Sequence, residues 1–468
     1  MIYKYIRYWR FNSEEKSYYK SLKHNLNNTS KDEVSLIQIC QDLNITHNFR
    51  KVINKNETEY FECIAPNISY YSFLSWVTII PRLLKDFSHS MIRREWKKLY
   101  AKLGIKNYHN SIHIAIHLKI RNFWLALKFF VNLSNRRDLL DHHYKGIMCG
   151  DLIYDSYLRF AKKPTLNIKN FTVLLFVYDC YNQIDFFQSF VKSKKINKYF
   201  SSYSTYISHG IPVRVFLNEG VRVFVIGYST FDNFKIKELN QNDYTQVSPH
   251  WRYKKIFKTL KNKKILIDLG LKKIENRLNG LEKLDYMDSD HYDPNQMKHL
   301  ESKFDGIVFI GDFTDAQHIY RSLVYDDLYL WFIDTVRIVR KYNLNVGFKP
   351  HPNNKPESKI IINNLKKKYP EISWIDPKIS NTSIFGSGIK FGISAYGTVL
   401  TELAYNNIVP ICCGDNPCSD FDFIFEAKNK FDYQNIIKNA HKLNLPNDTK
   451  KKLGEFIYMD KIYYSKMR

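Results

Sequence analysis

Short apolar runs alternate with amphipathic stretches along the last third of the chain. Ile307-Val308-Phe309-Ile310 predicts a strand, and a helical pattern follows from about Gln317 to Lys341. Leu344 to Lys349 predicts a second strand, ahead of a loop punctuated by prolines and a helix from Glu357 to Lys368. Ile372 to Ile375, Ile389 to Ile393 and Ile408 to Cys413 predict three more strands, with a helix near Tyr396 to Tyr405 between the last two. Four- to six-residue apolar strands separated by helices indicate a parallel sheet covered on both faces. The expected fold is α/β and doubly wound, with its ligand crevice beyond the carboxyl ends of the strands.

The middle of the chain carries a weaker version of the same alternation. Strands are expected at Gly146 to Cys149, at Lys198 to Tyr203 and at Val221 to Ile226, and a helix closing on Gly220 as its C-cap. Ser111 to Leu118, alternating with His and Lys, is a further candidate strand. Residues 251–300 show little apolar pattern beyond Ile265 to Leu269 and read as helices and a linker between two α/β halves. The expected organisation is a domain over 1–285 with a helical, basic N-terminal part, a second domain over 300–445, and a helical tail over 446–468.

Charge sharpens this division. The 468 residues carry a formal net charge of +25, yet residues 1–300 hold 48 Lys+Arg against 27 Asp+Glu, whereas 301–450 hold 18 against 17. The basic excess therefore belongs to the N-terminal two-thirds, and two parts with different partners are implied. A hydrophobic share of 44% and a charged share of 25% are those of a globular protein with ample core. Seven cysteines, without paired zinc-ligand spacing, suggest a reducing compartment, with Cys412 and Cys413 as buried strand residues. The N-terminus is basic and aromatic but lacks the apolar core of a signal peptide. Cys63 to Pro81 is uncharged over 19 residues, but its Pro66, Asn67 and hydroxyl residues make it too polar to span a bilayer. Tyr70, Tyr71, Phe73 and Trp76, followed by Arg82, Lys85, Arg93, Arg94, Lys97 and Lys98, suit either an interfacial segment or an amphipathic helix packed on its own core.

Four loops carry candidate chemistry. In Phe348-Lys349-Pro350-His351-Pro352-Asn353, two prolines fix a turn that presents a cation and an imidazole just beyond a strand end, as a phosphate or diphosphate requires. In Gly392-Ile393-Ser394-Ala395-Tyr396-Gly397-Thr398, a strand runs through a small-residue turn into a helix whose first N–H groups form an anion site. Glu402 lies one turn beyond Thr398 on the same helix face and can accept from ribose hydroxyls; the alternative is a plain cap with a solvated glutamate. The loops Gly414-Asp415-Asn416-Pro417 and Gly311-Asp312-Phe313-Thr314-Asp315 are rich in Asp, and read as helix caps in preference to a metal site.

Taken together, residues 305–435 resemble the C-terminal domain of bacterial capsule and surface-polysaccharide glycosyltransferases of the GT-B type. The Lys-Pro-His-Pro element, the Gly-Thr-x-x-x-Glu-Leu-Ala segment from Gly397 to Ala404, and the Gly-Asp-Asn-Pro loop stand in the same order. The resemblance implies two Rossmann-like domains facing a cleft. It implies donor binding by Lys349, His351, Ser394, Thr398, Glu402 and Asn416, with the two cations on phosphate and Glu402 on ribose. Gly150-Asp151-Leu152-Ile153-Tyr154-Asp155 and Ser208-His209-Gly210-Ile211-Pro212 look like the acceptor-side loops, where Tyr206 and Arg214 also fit; the first 100 residues match no part of the family.

On that reading the chain is a glycosyltransferase, with a nucleotide-sugar donor as substrate, a growing glycan or lipid-linked acceptor, and no cofactor or metal. Asp151 and His351 are the expected catalytic residues, Asp151 as the base at a strand end, with Asp155 and His209 behind it. An anionic membrane surface is the expected partner of the basic half, giving a cytoplasmic protein peripheral on the inner face of the plasma membrane. Two other readings stay open: polyol-phosphate transfer from a CDP-alcohol, and nucleic-acid binding motivated by the net charge.

Overall fold

The computed structural model describes residues 11–22, 33–40, 42–56, 58–65, 94–105, 107–110, 114–226, 236–240, 250–281, 300, 303–320 and 322–463. Of the expected aromatic and basic segment, all of Tyr70 to Arg93 lies outside these residues. The chain forms two compact units: residues 1–157 with 167–247, and residues 158–166 with 248–468.

The first unit is built on a six-stranded sheet: β1 (Val34–Gln38), β2 (Tyr60–Ala65), β3 (Tyr108–Asn110), β6 (Ile196–Ser201), β7 (Arg222–Val225) and β8 (Lys237–Leu239), in the order β3-β2-β1-β6-β7-β8. All neighbours are parallel except β7 and β8. Helices α1 (Leu43–Lys55) and α2 (Arg94–Lys102) follow β1 and β2. Helices α3 (Ile116–Val131), α4 (Gly150–Ala161) and α5 (Phe171–Ser193) fill the long crossover from β3 to β6, and α6 (Ile211–Asn218) leads from β6 to β7. Chain order turns back at β1, which has β2 on one side and β6 on the other.

Two expectations fail here. Ile116, Leu118 and their neighbours begin a 16-residue helix instead of a strand, because the apolar spacing that continues to Val131 is helical. Ile147–Met148 is only β5 of a two-stranded hairpin with β4 (His143–Tyr144), so Asp151 lies in the first turn of α4 and not at a sheet edge. The chain centre of the sheet, β1, lies within the stretch that matched no family.

The second unit repeats the topology. Its sheet contains β9 (Gly306–Ile310), β10 (Val346–Pro350), β11 (Ser373–Trp374), β12 (Phe391–Ser394), β13 (Val409–Cys412) and β14 (Phe425–Glu426), ordered β11-β10-β9-β12-β13-β14 and parallel throughout. The connecting helices include α8 (Leu328–Lys341), α9 (Pro356–Lys368), the short α10 (Asn381–Phe385) and α11 (Val399–Tyr405). Side chains alternate across β9: Ile307 and Phe309 enter one core, Val308 and Ile310 the other. That two-sided burial is why the strand is apolar at consecutive positions. The protein is thus α/β, with two doubly wound, Rossmann-like units.

Helix α8 begins eleven residues later than the pattern suggested. Asp327 caps it by accepting from Leu330 N–H at 2.8 Å. Before it, the apolar Leu323 and Val324 pair with the loop after β13: Val324 N–H donates to the Cys413 carbonyl at 2.8 Å. A tertiary strand contact has taken residues whose spacing alone suited a helix.

Helix α7 (Lys263–Leu278) belongs to the second unit, where it crosses α12 (Thr449–Ile457) with Gly270 against Gly454. A methyl group at Gly270 would stand 2.1 Å from the Gly454 carbonyl oxygen, so only glycine permits this approach. All seven cysteines are free thiols, Cys412 and Cys413 among the buried ones.

Candidate functional site

Strand register brings the sequence motifs of the second unit to one level. Lys349 and Ser394 both pair with Phe309, on opposite sides of β9, so the loops after β9, β10 and β12 leave the sheet together. They border a crevice lined by Gly311, Lys349, Pro350, His351, Asn381, Ser394, Gly397, Thr398, Glu402 and Arg277. It stands at the turn-back point of the strand order, where open α/β sheets hold ligands. Five residues expected there from the sequence are present: Lys349, His351, Ser394, Thr398 and Glu402.

Each is held by its neighbours. Lys349 is 4% exposed and donates through Nζ to Asn381 Oδ1 at 2.8 Å. Burial pushes its ammonium down to about 8, while the charges of Glu402 and Asp376 oppose that shift. His351 N–H donates to the Ile310 carbonyl at 2.9 Å, and Asn353 N–H donates to His351 Nδ1 at 3.1 Å. With Nδ1 accepting, the ring proton belongs on Nε2, the tautomer that donates to an anion. Ser394 Oγ donates to the Tyr396 carbonyl at 2.9 Å and so closes the turn after β12. Gly397, at φ +133°, lets that turn enter α11.

Asn416 takes another part. It is fully buried, accepts from Gly397 N–H at 2.9 Å and donates to the Gly414 carbonyl at 2.7 Å. It positions the Gly397 turn and is not among the residues lining the crevice. The Asp-rich loops likewise serve as braces. Asp312 accepts from Thr314 N–H, Lys355 N–H and Ser358 Oγ, at 2.7–2.9 Å, while Asp315 pairs with Lys355.

Two members of the site carry no sequence motif. Arg277, near the end of α7, reaches Glu402 Oε1 at 3.0 Å and Thr398 Oγ1 at 3.4 Å. Asn381, at the start of α10, donates to Glu402 Oε2 at 3.1 Å while accepting from Lys349. The crevice thus holds a continuous chain from Lys349 through Asn381, Glu402 and Arg277 to Thr398. Nothing in the spacing of residues 263–278 marks Arg277; the close crossing at Gly270 delivers it.

The acceptor-side residues sit in the first unit. Asp151 is 4% exposed, and both its oxygens are engaged by Arg214, Nη1 to Oδ1 at 2.6 Å and Nη2 to Oδ2 at 2.5 Å. Arg214 Nη1 also donates to the Met148 carbonyl at 2.8 Å. This bidentate pair ties α4 to α6 through both carboxylate oxygens. Asp155 is buried on the same helix.

His209 lies differently. It follows β6, beside the ends of β6 and β1, at the turn-back point of the first sheet. Gln38, the last residue of β1, donates from Nε2 to the Ser208 carbonyl at 3.1 Å, which turns its Oε1 towards His209 Nδ1 at 2.7 Å. Ser201 Oγ lies 2.9 Å from the same oxygen. His209 therefore donates from Nδ1, and its lone pair is on Nε2. Burial pulls its protonation down to about 4, so the ring is neutral near pH 7.

No protein-family model matches the sequence, and no curated protein does either. Among solved structures, the chain is similar to the S. aureus MnaA–UDP structure at 9% identity, covering 93% of this chain and 92% of that one with a TM-score of 0.30. It is also similar to the Methanocaldococcus jannaschii UDP-GlcNAc 2-epimerase in complex with UDP-GlcNAc and UDP (12% identity, 90% and 97% covered, TM-score 0.24). A third is the wall teichoic acid polymerase TagF (9% identity, 96% and 88% covered, TM-score 0.23). So distant a likeness says nothing of what this chain binds. Among the described residues, no helix is long and apolar enough to cross a membrane.

Proposed function

We propose that the second unit binds the diphosphate and ribose of a nucleotide sugar, and that the protein is a GT-B-type glycosyltransferase passing the sugar to a glycan or lipid-linked acceptor. One observation carries this reading. Lys349, His351, Ser394, Thr398 and Glu402, separated by up to 53 positions in sequence, line a single crevice at the turn-back point of a doubly wound sheet.

The chemistry follows from their groups. Breaking the sugar–phosphate bond leaves negative charge on the departing diphosphate, and preorganised cations and N–H donors stabilise it. Lys349 Nζ, the Nε2–H of His351 and the guanidinium of Arg277 supply that field at the crevice. Glu402, held from both sides by Arg277 and Asn381, offers fixed acceptors to ribose hydroxyls. Inversion at the sugar carbon further needs a base for the acceptor hydroxyl. His209 joins Asp151 as a candidate for that role. Asp151 is held in place by Arg214 through both oxygens, and His209 presents a lone pair on Nε2 whose tautomer Gln38 fixes.

Thermal unfolding against CMP, CDP, UDP and GDP tests the donor site, since a ligand that binds only the folded state raises the midpoint. One nucleoside diphosphate is expected to stabilise the wild type and to lose that effect in Lys349→Ala. His351→Ala is expected to remain folded and to lose transfer. Full transfer by His351→Ala, or no stabilisation by any of the nucleotides, overturns the proposal. Phosphate carried into the product from a CDP-alcohol would replace sugar transfer by polyol-phosphate transfer.

A further inference from the structure

Helix α3 is amphipathic the wrong way round. Its buried positions are Asn122 and Ala126, while Ile116, Ile120, Trp124 and Val131 are 76, 56, 62 and 71% exposed. Steps of four, four and seven residues place those four side chains on one stripe of the helix.

The inward face is fastened by polar groups, with Phe129 stacked on His142 and Phe123 against Tyr178 beside them. Asn122 Nδ2 donates to Asn182 Oδ1 at 3.0 Å and to Asp185 Oδ2 at 2.8 Å, both on α5, and accepts at Oδ1 from Tyr144 OH at 3.1 Å. Arg121 and Lys145 both pair with Asp185. Rotating α3 to bury Trp124 would break the Asn122 and Arg121 contacts and leave Asp185 with Lys145, so the apolar stripe is held outward.

We propose that this stripe is a docking surface for an anionic membrane. Its charge chooses the occupant. The 16 residues include Lys119, Arg121 and Lys128 and no Asp or Glu. Two copies packed stripe to stripe would set only cations beside cations, whereas lipid phosphates meet them with opposite charge. An exposed Trp and aliphatic residues flanked by lysines is the composition of a helix lying in the headgroup region. The surface lies outside the donor crevice, and the proposal does not rest on the assignment of the reaction.

Flotation of the full chain with vesicles tests it. Wild-type protein is expected to float with phosphatidylcholine–phosphatidylglycerol vesicles at low salt and to stay behind with phosphatidylcholine alone. Ile120→Ser/Trp124→Ser should abolish flotation, and Lys119→Gln/Lys128→Gln should weaken it and its salt dependence. These exposed substitutions should leave circular dichroism and nucleotide-induced stabilisation unchanged, which separates this result from failure of the donor site. Indifference of the wild type to anionic vesicles, or undiminished flotation of the Ile120→Ser/Trp124→Ser variant, overturns it. So does a concentration-dependent dimer in sedimentation velocity that the same variant abolishes, since the stripe would then serve a second copy.

Discussion

Removing the guanidinium from the crevice with Arg277→Met probes the central contact of the site. Glu402 is only 2% exposed in its side chain and Arg277 15%, so their pair is largely shielded from water. Taking one partner from a buried ion pair costs about 3–5 kcal/mol, because the other charge is left uncompensated. Here the Asn381 amide still donates to Glu402, and the charge of Lys349 still faces it. We therefore expect a loss of about 2–3 kcal/mol, below the full range. Glu402→Gln strands the arginine in turn, while the double variant removes both charges and should lose less than the sum. The expected coupling is about 1–3 kcal/mol. Urea unfolding of the four proteins, monitored without ligand, measures it. A single-variant loss within about 0.5 kcal/mol, the ordinary range of surface substitutions, would refute the buried-pair argument. So would strict additivity of the two changes.

Three further outcomes follow from the same geometry. Lys349 is depressed to about 8 from an ordinary 10.5, so its positive charge fades as pH rises through 8. Nucleoside-diphosphate affinity should fall over that interval, and Lys349→Met should flatten the profile; in stability, the unfolded chain holds the extra proton between those values, so this group's contribution grows with rising pH there. His209 is depressed to about 4 from 6.5, so the unfolded state binds the proton first on acidification and stability falls as pH drops through that window. His209→Ala should lower transfer about 10²–10⁴-fold with nucleotide binding unchanged, a split that kinetics and thermal shifts together report. Gly270→Ala must push α7 from α12, at about 1–3 kcal/mol by urea unfolding, and should weaken nucleotide binding through Arg277; an unchanged affinity would show that α7 does not position the site.

Much of the second unit is legible in its sequence. Each of its first five strands is an apolar run between breakers, and Lys349, His351 and Ser394 stand at or just beyond the ends of those runs. Where sequence and structure differ in placement, the causes are particular. Leu323 and Val324 suited a helix until the loop after β13 offered them a strand partner. Asn416, in the loop after β13, engages Gly397 and Gly414 through its amide, contacts its local sequence does not mark. Asp151, expected at a strand end, stands in the first turn of α4, where Arg214 reaches it from 63 positions away.

By itself the sequence determined what short-range physics controls: which segments become two-sided strands, where they stop, and which cations and hydroxyls stand at their ends. Local periodicity and turn chemistry suffice for that, since side-chain direction repeats every two residues in a strand and every 3.6 in a helix. Tertiary structure decided whatever depends on a partner remote in sequence. It placed β1 at the centre of the first sheet and gave Gln38 to His209. It brought Arg277 to Glu402 through a glycine crossing, and it turned the apolar face of α3 outward by fastening Asn122 inward. Those outcomes rest on desolvation and pairing of groups that meet only in the folded chain, and no local pattern encodes them.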